Sequence, residues 1–281
     1  MTLKQITELK TTQSVRSTDA LKLTTLKDGL EHSQLSNEVT IYKAGCFDFL
    51  KSLDPGSVDI IITDPAYSGM NNKMQFGNGR IVGKYQDADN TKWFPEFTDD
   101  ADTFRHFLEE CHRVLKDDRH IYIMIDSFSL LSLGHLVREV FNMKNIIVWD
   151  KVNIGMGHHF RRRHEFILFA SKGSKKLSSM SIPDVWRIKR LARAKYPTQK
   201  PVEVFDCMLA GSKEKGYTVC DPFLGSGSAA IAALKANCKF IGADVSQKAY
   251  HVSVDRISEY LKTGLDPLQA DSIKVDLNGS H

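Results

Sequence analysis

Short, continuous apolar runs recur along this chain at 39–42, 58–63, 120–125, 145–151, 165–170, 217–221 and 239–244, each four to seven residues long. Most lack the strict in-and-out alternation of a sheet with one wet face, so they predict strands covered on both faces. Between several of them the apolar spacing changes to three and four residues. Such stretches at 100–116, 128–141, 202–210, 228–236 and 246–261 predict helices, and in the first Phe104, Phe107, Leu108, Cys111 and Leu115 form the apolar stripe. Strands alternating with helices place the chain in the α/β class, with a doubly wound, mostly parallel, seven-stranded sheet. Residues 1–37 and 264–281 are polar and weakly patterned, and are expected to form an N-terminal arm and a C-terminal tail around a single domain at 38–263. Two irregular stretches interrupt that domain, at about 68–98 with four glycines and at about 172–196 with a basic excess.

Composition narrows the classes. With 281 residues, 42% of them hydrophobic, the chain can fill a sizeable core. No apolar run approaches the ~20 residues of a membrane span. The opening stretch MTLKQITELKTTQSVRS has no apolar signal core, so the expected location is the cytoplasm. Cys46, Cys111, Cys207, Cys220 and Cys238 are odd in number and scattered, as expected of reduced structural thiols. His158, His159 and His164 have no matching acidic or sulfur ligand set, so no metal is expected. The net charge of +4 hides an asymmetry: residues 151–195 hold twelve Lys or Arg against Glu165 and Asp184, an excess of +10 that leaves −6 elsewhere. Such a concentration can hold a polyanion; the alternative is a solvated basic face.

The stretch CDPFLGSGSAAIAALKANCKFIGADVS at 220–246 reads as strand, glycine turn, small-residue helix and second strand ending in an acid. Gly225 and Gly227 let the backbone turn sharply near a ligand, and Asp244 stands where it can accept bonds from ribose hydroxyls. That pattern predicts a nucleoside-cofactor site. A dinucleotide fold needs several strands after its first glycine loop, whereas one strand and one helix follow here before the polar tail. The sheet must therefore be completed by strands made earlier.

Taken in order, DPAY at 64–67, YPTQKP at 196–201 and DPFLGSG at 221–227 resemble the beta group of S-adenosylmethionine-dependent DNA amino-methyltransferases, in the DPAY spelling of members of phage and plasmid kind. The resemblance covers roughly residues 39–261. It implies a Rossmann-like class I methyltransferase fold, permuted so that the catalytic motif precedes the cofactor motif, with the 217–221 strand beside 58–63. Two departures stand out: Ala66 replaces the usual second proline, and Cys46 in AGCFDFL stands where an acid is often found.

The chemistry implied is methyl transfer to the N6 amine of adenine in duplex DNA, with N4 of cytosine as the alternative and a non-catalytic or RNA-directed binding module as a reading of a different class. An exocyclic amine is a poor nucleophile because its lone pair is delocalised into the ring. Asp64 through its carboxylate and Pro65 through its carbonyl would accept both amine protons, and alignment and water exclusion matter more than a strong base. The base must be extruded to reach any pocket, and Tyr67 would stack on it, although such a tyrosine can equally be a packing residue. S-adenosylmethionine is expected against Cys46, Phe47, Asp64, Thr198, Gln199, Lys200, Asp221, Pro222, Phe223, Gly225, Gly227 and Asp244, with Asp221 either touching it or only orienting the glycine loop. Arg161, Arg162, Arg163, Lys175, Lys176, Arg187, Lys189 and Arg190 are the expected DNA contacts. A second subunit sharing target recognition and a cognate restriction nuclease are further expected partners.

Overall fold

The computed structural model describes residues 23–25, 29–65, 67, 100–155, 158–179, 181–191, 194, 196 and 198–269. The expected insertion at 68–98, and the outer parts of the arm and tail at 1–22 and 270–281, lie outside them.

Among the described residues ten strands form one sheet, in the spatial order β1 (Leu23–Thr25), β2 (Glu31–Ser36), β3 (Val39–Lys43), β10 (Lys239–Asp244), β9 (Thr218–Asp221), β4 (Val58–Thr63), β5 (Leu115–Ile125), β7 (His164–Lys172), β6 (Asn142–Asp150) and β8 (Val185–Arg187). The seven strands from β3 to β6 are the seven expected. From β3 to β5 they run parallel, whereas β7 is antiparallel to both β5 and β6.

Each buried strand feeds two cores. In β4 every residue is buried; Ile60 and Ile62 face one side, Val58 and Ile61 the other. The first side is covered by α5 (Val202–Ala210), α6 (Ser228–Lys235) and α7 (Gln247–Thr263), the second by α1 (Cys46–Ser52), α2 (Ala101–Val114), α3 (Ser127–Leu133) and α4 (Val137–Val140). Side-chain caps start several of these helices. Asp100 accepts the Thr103 N–H at 2.9 Å at the head of α2, and Asp126 accepts the Phe128 N–H at 2.7 Å at the head of α3. The helix expected at 128–141 is divided into α3, a 3₁₀ turn (Gly134–Leu136) and α4. No helix among the described residues is long and apolar enough to cross a membrane.

Three strands lie outside the sequence expectation. β1 and β2 fall within the expected polar arm, yet β2 pairs antiparallel with β3, its His32 ring stacked on Tyr42 at 5.3 Å and its Ser33 hydroxyl bonded to Tyr250 at 2.7 Å. Polar side chains hide a strand, lying one in from the sheet's edge, whose binding surface is a ring and a hydroxyl. β8 lies inside the basic stretch, anchored by the buried Trp186, whose indole donates to the Pro183 carbonyl at 2.7 Å. The first residues of the expected tail are likewise held: the Asp266 side chain is buried in a two-pronged pair with Arg256.

Candidate active site

β9 lies directly beside β4, with Ile60 opposite Val219 and Ile61 opposite Cys220. From this pair the sheet grows one way through β10 and β3 and the other way through β5, so the chain order reverses here. At such a switch point helices depart to opposite faces and leave a crevice beyond the carboxyl ends of the strands. A cavity of about 410 Å³ fills that place, walled by Asp64 after β4, Asp221 at the end of β9 and Asp244 at the end of β10.

Of the expected cofactor residues, Cys46, Phe47, Asp64, Thr198, Lys200, Asp221, Pro222, Phe223, Gly225 and Asp244 line the cavity. Gln199 and Gly227 do not. Gln199 turns away and donates to the Leu268 carbonyl at 3.0 Å. Gly227 has φ +81° at the head of α6, and a Cβ there would meet Ser253 at 3.3 Å and Ile257 at 3.4 Å, so its smallness serves helix packing. Gly225, with φ +54°, has nothing within 4 Å of a Cβ position, and it is the glycine that leaves room at the cavity.

Acids hold the glycine loop through its backbone. Asp244 accepts the Gly225 N–H at 2.9 Å and the Ser246 N–H at 2.8 Å, and Asp221 accepts the Phe223 N–H at 3.0 Å. Burial pushes both carboxyl groups above the usual carboxylate range, Asp221 far above, where Asp64 and Asp244 add to the effect. From beneath the loop, the buried Arg256 of α7 donates to the Ser226 carbonyl at 2.9 Å and the Ser228 hydroxyl at 3.0 Å. Its other nitrogens grip Asp266 at 2.8 and 2.6 Å. Sequence patterning gave no sign of Arg256, because one arginine on a helix looks like a solvated charge.

The catalytic candidate stands in a chain of alternating charges. Lys200 Nζ is paired with Asp64 Oδ2 and lies 3.7 Å from Glu165 Oε2, while Lys151 Nζ holds Glu165 Oε1 at 2.9 Å. Burial pushes the Asp64 carboxyl up, against the opposing pull of Lys200, and Glu165 adds to the rise. For Glu165 burial acts the same way, but Lys200 and Lys151 outweigh it and hold the group below its ordinary value. Burial disfavours the Lys200 ammonium, yet Asp64 and Glu165 prevail and raise its pKa. Glu165 and Lys151 were not expected in the site. The available signal was a single acid at the start of an apolar strand in a segment crowded with cations.

Pro65 is buried, and its carbonyl accepts the Tyr67 N–H at 3.0 Å. Tyr67 departs from its expected role as a stacking platform. It is 2% exposed, its ring packs in the core at 6.3 Å from Phe104, and its hydroxyl donates to the Met124 carbonyl at 3.2 Å. The apolar strand ends just before it, and the ring joins the core beside β5.

The basic residues divide between two edges of the sheet. Asp150 pairs with His164 and with Arg187, so the β6–β7 connection carrying Arg161, Arg162 and Arg163 emerges on the cavity edge, with Arg187, Lys189 and Arg190 beside it. Lys175 and Lys176 follow the other end of β7, the end opposite Asp64; Lys175 pairs with Glu214 at 3.1 Å, and its carbonyl is 3.0 Å from His120 Nε2. They are not brought to the cavity. Within the arginine cluster, Arg163 is forked onto Asp150 at 2.8 and 2.6 Å, Arg161 donates to the Gly155 carbonyl at 2.8 Å, and Arg162 lies 4.7 Å over the Phe128 ring. Phe160, next to them, is fully exposed.

Known proteins are similar to this chain in sequence and in fold. Type II methyltransferase M.HhaII of Haemophilus parahaemolyticus is 30% identical, covering 72% of this chain and 89% of its own length. DNA adenine methyltransferase YhdJ of Escherichia coli strain K12 is 26% identical, covering 88% of each. Among solved structures, the M1.HpyAVI complex with SAM superposes with a TM-score of 0.56 at 21% identity, covering 78% of this chain and 99% of that one. The cytosine-N4-specific PvuII DNA methyltransferase superposes with a TM-score of 0.56 at 12% identity, covering 82% and 94%. These two confirm the class I methyltransferase fold. Residues 58–255, which run from the strand before Asp64 to the helix that supports the glycine loop, match the family model for N6/N4 methyltransferases described as DNA methylase. By that match this chain belongs to the DNA methylase family.

Proposed function

We propose that the chain transfers the methyl group of S-adenosylmethionine to the N6 amine of an adenine extruded from duplex DNA. The observation that carries this reading is the meeting of Asp64 with the glycine loop across one cavity. A relative named as a DNA adenine methyltransferase favours adenine over the N4 of cytosine.

The cavity suits the cofactor. Its size of about 410 Å³ lies within the roughly 300–1,000 Å³ of small-molecule sites. Phe47 and Phe223 offer apolar walls, Gly225 gives open space at the turn, and Asp244 presents a carboxylate to ribose hydroxyls. When bound there, S-adenosylmethionine supplies an electrophilic methyl group on a sulfonium. The chain's own residues do the rest. Asp64 accepts one amine proton in a hydrogen bond, and the second lone pair of the Pro65 carbonyl, beside the one that takes the Tyr67 N–H, accepts the other. Both draw the nitrogen toward tetrahedral geometry, in line with the methyl group. Tyr67, held by Met124, fixes the backbone that aims them.

On the same edge, Arg161, Arg162, Arg187, Lys189 and Arg190 are exposed cations for phosphates, with Arg163 partly neutralised by Asp150. A second copy sharing target recognition, a nuclease of matching specificity and a cytoplasmic setting complete the proposal. The test is incubation with methyl-labelled cofactor and duplex DNA, followed by digestion to nucleosides. Label in N6-methyladenine is expected; label in N4-methylcytosine selects the alternative, and unlabelled DNA leaves only a binding module.

A further inference from the structure

Lys200, seated on Oδ2 of Asp64, competes with the target amine for that carboxylate. The ammonium occupies one carboxylate oxygen of Asp64 in the structure, with only 14% of the lysine side chain exposed. A second carboxylate stands ready on the far side. Glu165 is held through Oε1 by Lys151 at 2.9 Å, which leaves Oε2 facing Lys200 at 3.7 Å, too long for a good hydrogen bond. The lysine therefore has one close partner and one waiting partner. Its backbone is held beside the cavity by Gln199, which donates to the Leu268 carbonyl at 3.0 Å, by the α5 helix that starts two residues on, and by its own carbonyl, which accepts from the Ser228 hydroxyl at 2.8 Å, so the side chain is the part left to swing.

We propose that Lys200 is a stand-in cation: it is seated on Asp64 until the target base arrives, and it passes to Glu165 as the amine takes its place. The inference rests on the methyl-transfer reading above. Charge and hydrogen bonds balance through the exchange. Asp64 trades an ammonium donor for an amine donor, and Lys200 trades one carboxylate for another, so no buried charge is left alone at any stage. The exchange also removes a positive charge from beside a nitrogen that itself becomes positive as it accepts the methyl group. Glu165 and Lys200 are thus positioning residues that act through Asp64.

Two measurements test the exchange. In single-turnover transfer, Glu165→Gln removes the waiting carboxylate, strands Lys200 on Asp64 and slows the reaction about tenfold or more, the scale of one charge-assisted hydrogen bond. Cofactor and DNA affinities stay within about twofold, since neither ligand loses a contact. The double variant Glu165→Gln with Lys200→Met then transfers faster than Glu165→Gln alone, because the obstruction is gone. The second measurement needs no turnover: the carboxyl of Asp64, labelled with carbon-13 and assigned by its loss in Asp64→Asn, is titrated by NMR. Asp64 is faced by Lys200, Glu165 and Asp221. Its midpoint rises in Lys200→Met and falls in Glu165→Gln. Wild-type protein that transfers no methyl group to DNA overturns the functional reading, and the exchange with it. Active wild-type protein beside a double variant no faster than Glu165→Gln overturns the exchange alone, as does an Asp64 midpoint unmoved by Lys200→Met.

Discussion

The two ends of β4 carry the same side chain in opposite states. Asp59, near the start, is 4% exposed and fully provided for: Lys116 at 2.9 Å, Arg119 at 3.2 Å and the Thr218 N–H at 3.0 Å. Burial alone would raise its pKa, but the amide and the two cations outweigh it and hold the carboxyl below the ordinary range. Asp64, just past the other end, has among the described residues one close cation and a carboxylate neighbour, and burial wins. The first is a joint between β4, β5 and β9. The second is, among the described residues, under-supplied with donors by comparison, and so has capacity to take a substrate's. A carboxylate is freed for chemistry by what its strand end withholds from it.

The largest expected effect falls on the under-supplied end. Asp64→Ala lowers methyl transfer about a thousandfold, the upper range for losing one preorganised polar group aimed at a transition state, while cofactor affinity by calorimetry stays within a few fold. At the other end Asp59→Asn leaves turnover per folded molecule unchanged but costs about 2 kcal/mol in a denaturant titration, less than for a fully buried pair because Lys116 is 42% exposed. Asp244→Ala tests a third acid, intermediate in kind, whose carboxylate both ties the loop and faces the cavity; it weakens cofactor binding about tenfold, and unchanged affinity with an intact fold removes Asp244 from the site. The smallest effect is in pH dependence. The depressed pKa of Asp59 contributes stability that is present above the unfolded value of about 3.9 and lost as pH falls through the folded one. Asp64, with its pKa raised, makes stability decline as pH rises through the interval between its unfolded and folded values. Accordingly, the stability difference between wild type and Asp59→Asn shrinks below about pH 4, whereas Asp64→Asn costs no stability at neutral pH. A destabilised Asp64→Asn would show that both ends of the strand are joints.

The seven central strands were legible because buried strands and covering helices write their periods directly into the chain. Asp64, Asp221, Gly225 and Asp244 were legible because a strand end, a tight turn and an acid at fixed spacing are local features. The misreadings share the opposite property. Gln199 and Gly227 sit in correct motifs but face away, since a motif specifies the chain's path and not which neighbours in a turn look inward. Glu165, Lys151 and Arg256 reach the site only through contacts distant in sequence. Lys175 and Lys176 belonged to a basic run that the sheet divides between its two edges, and charge counting contains no direction. β2 was hidden because a strand near the sheet's edge can be largely polar when its partners are a tyrosine ring and a hydroxyl.

The strand order has a consequence for how the molecule is made. β3 and β4 are consecutive in the centre of the chain's first third, yet β10 and β9 separate them in space. The cofactor half is thus a keystone: until synthesis passes residue 244, the nascent polypeptide carries two half-sheets with facing, unpaired inner edges. Such edges are slow to close over long chain separations and are sites of mispairing with other chains. A truncation within 218–244 would therefore not yield a smaller working core with one part missing. It would leave a split sheet without a centre, so binding chemistry and structural completion stand or fall on the same segment.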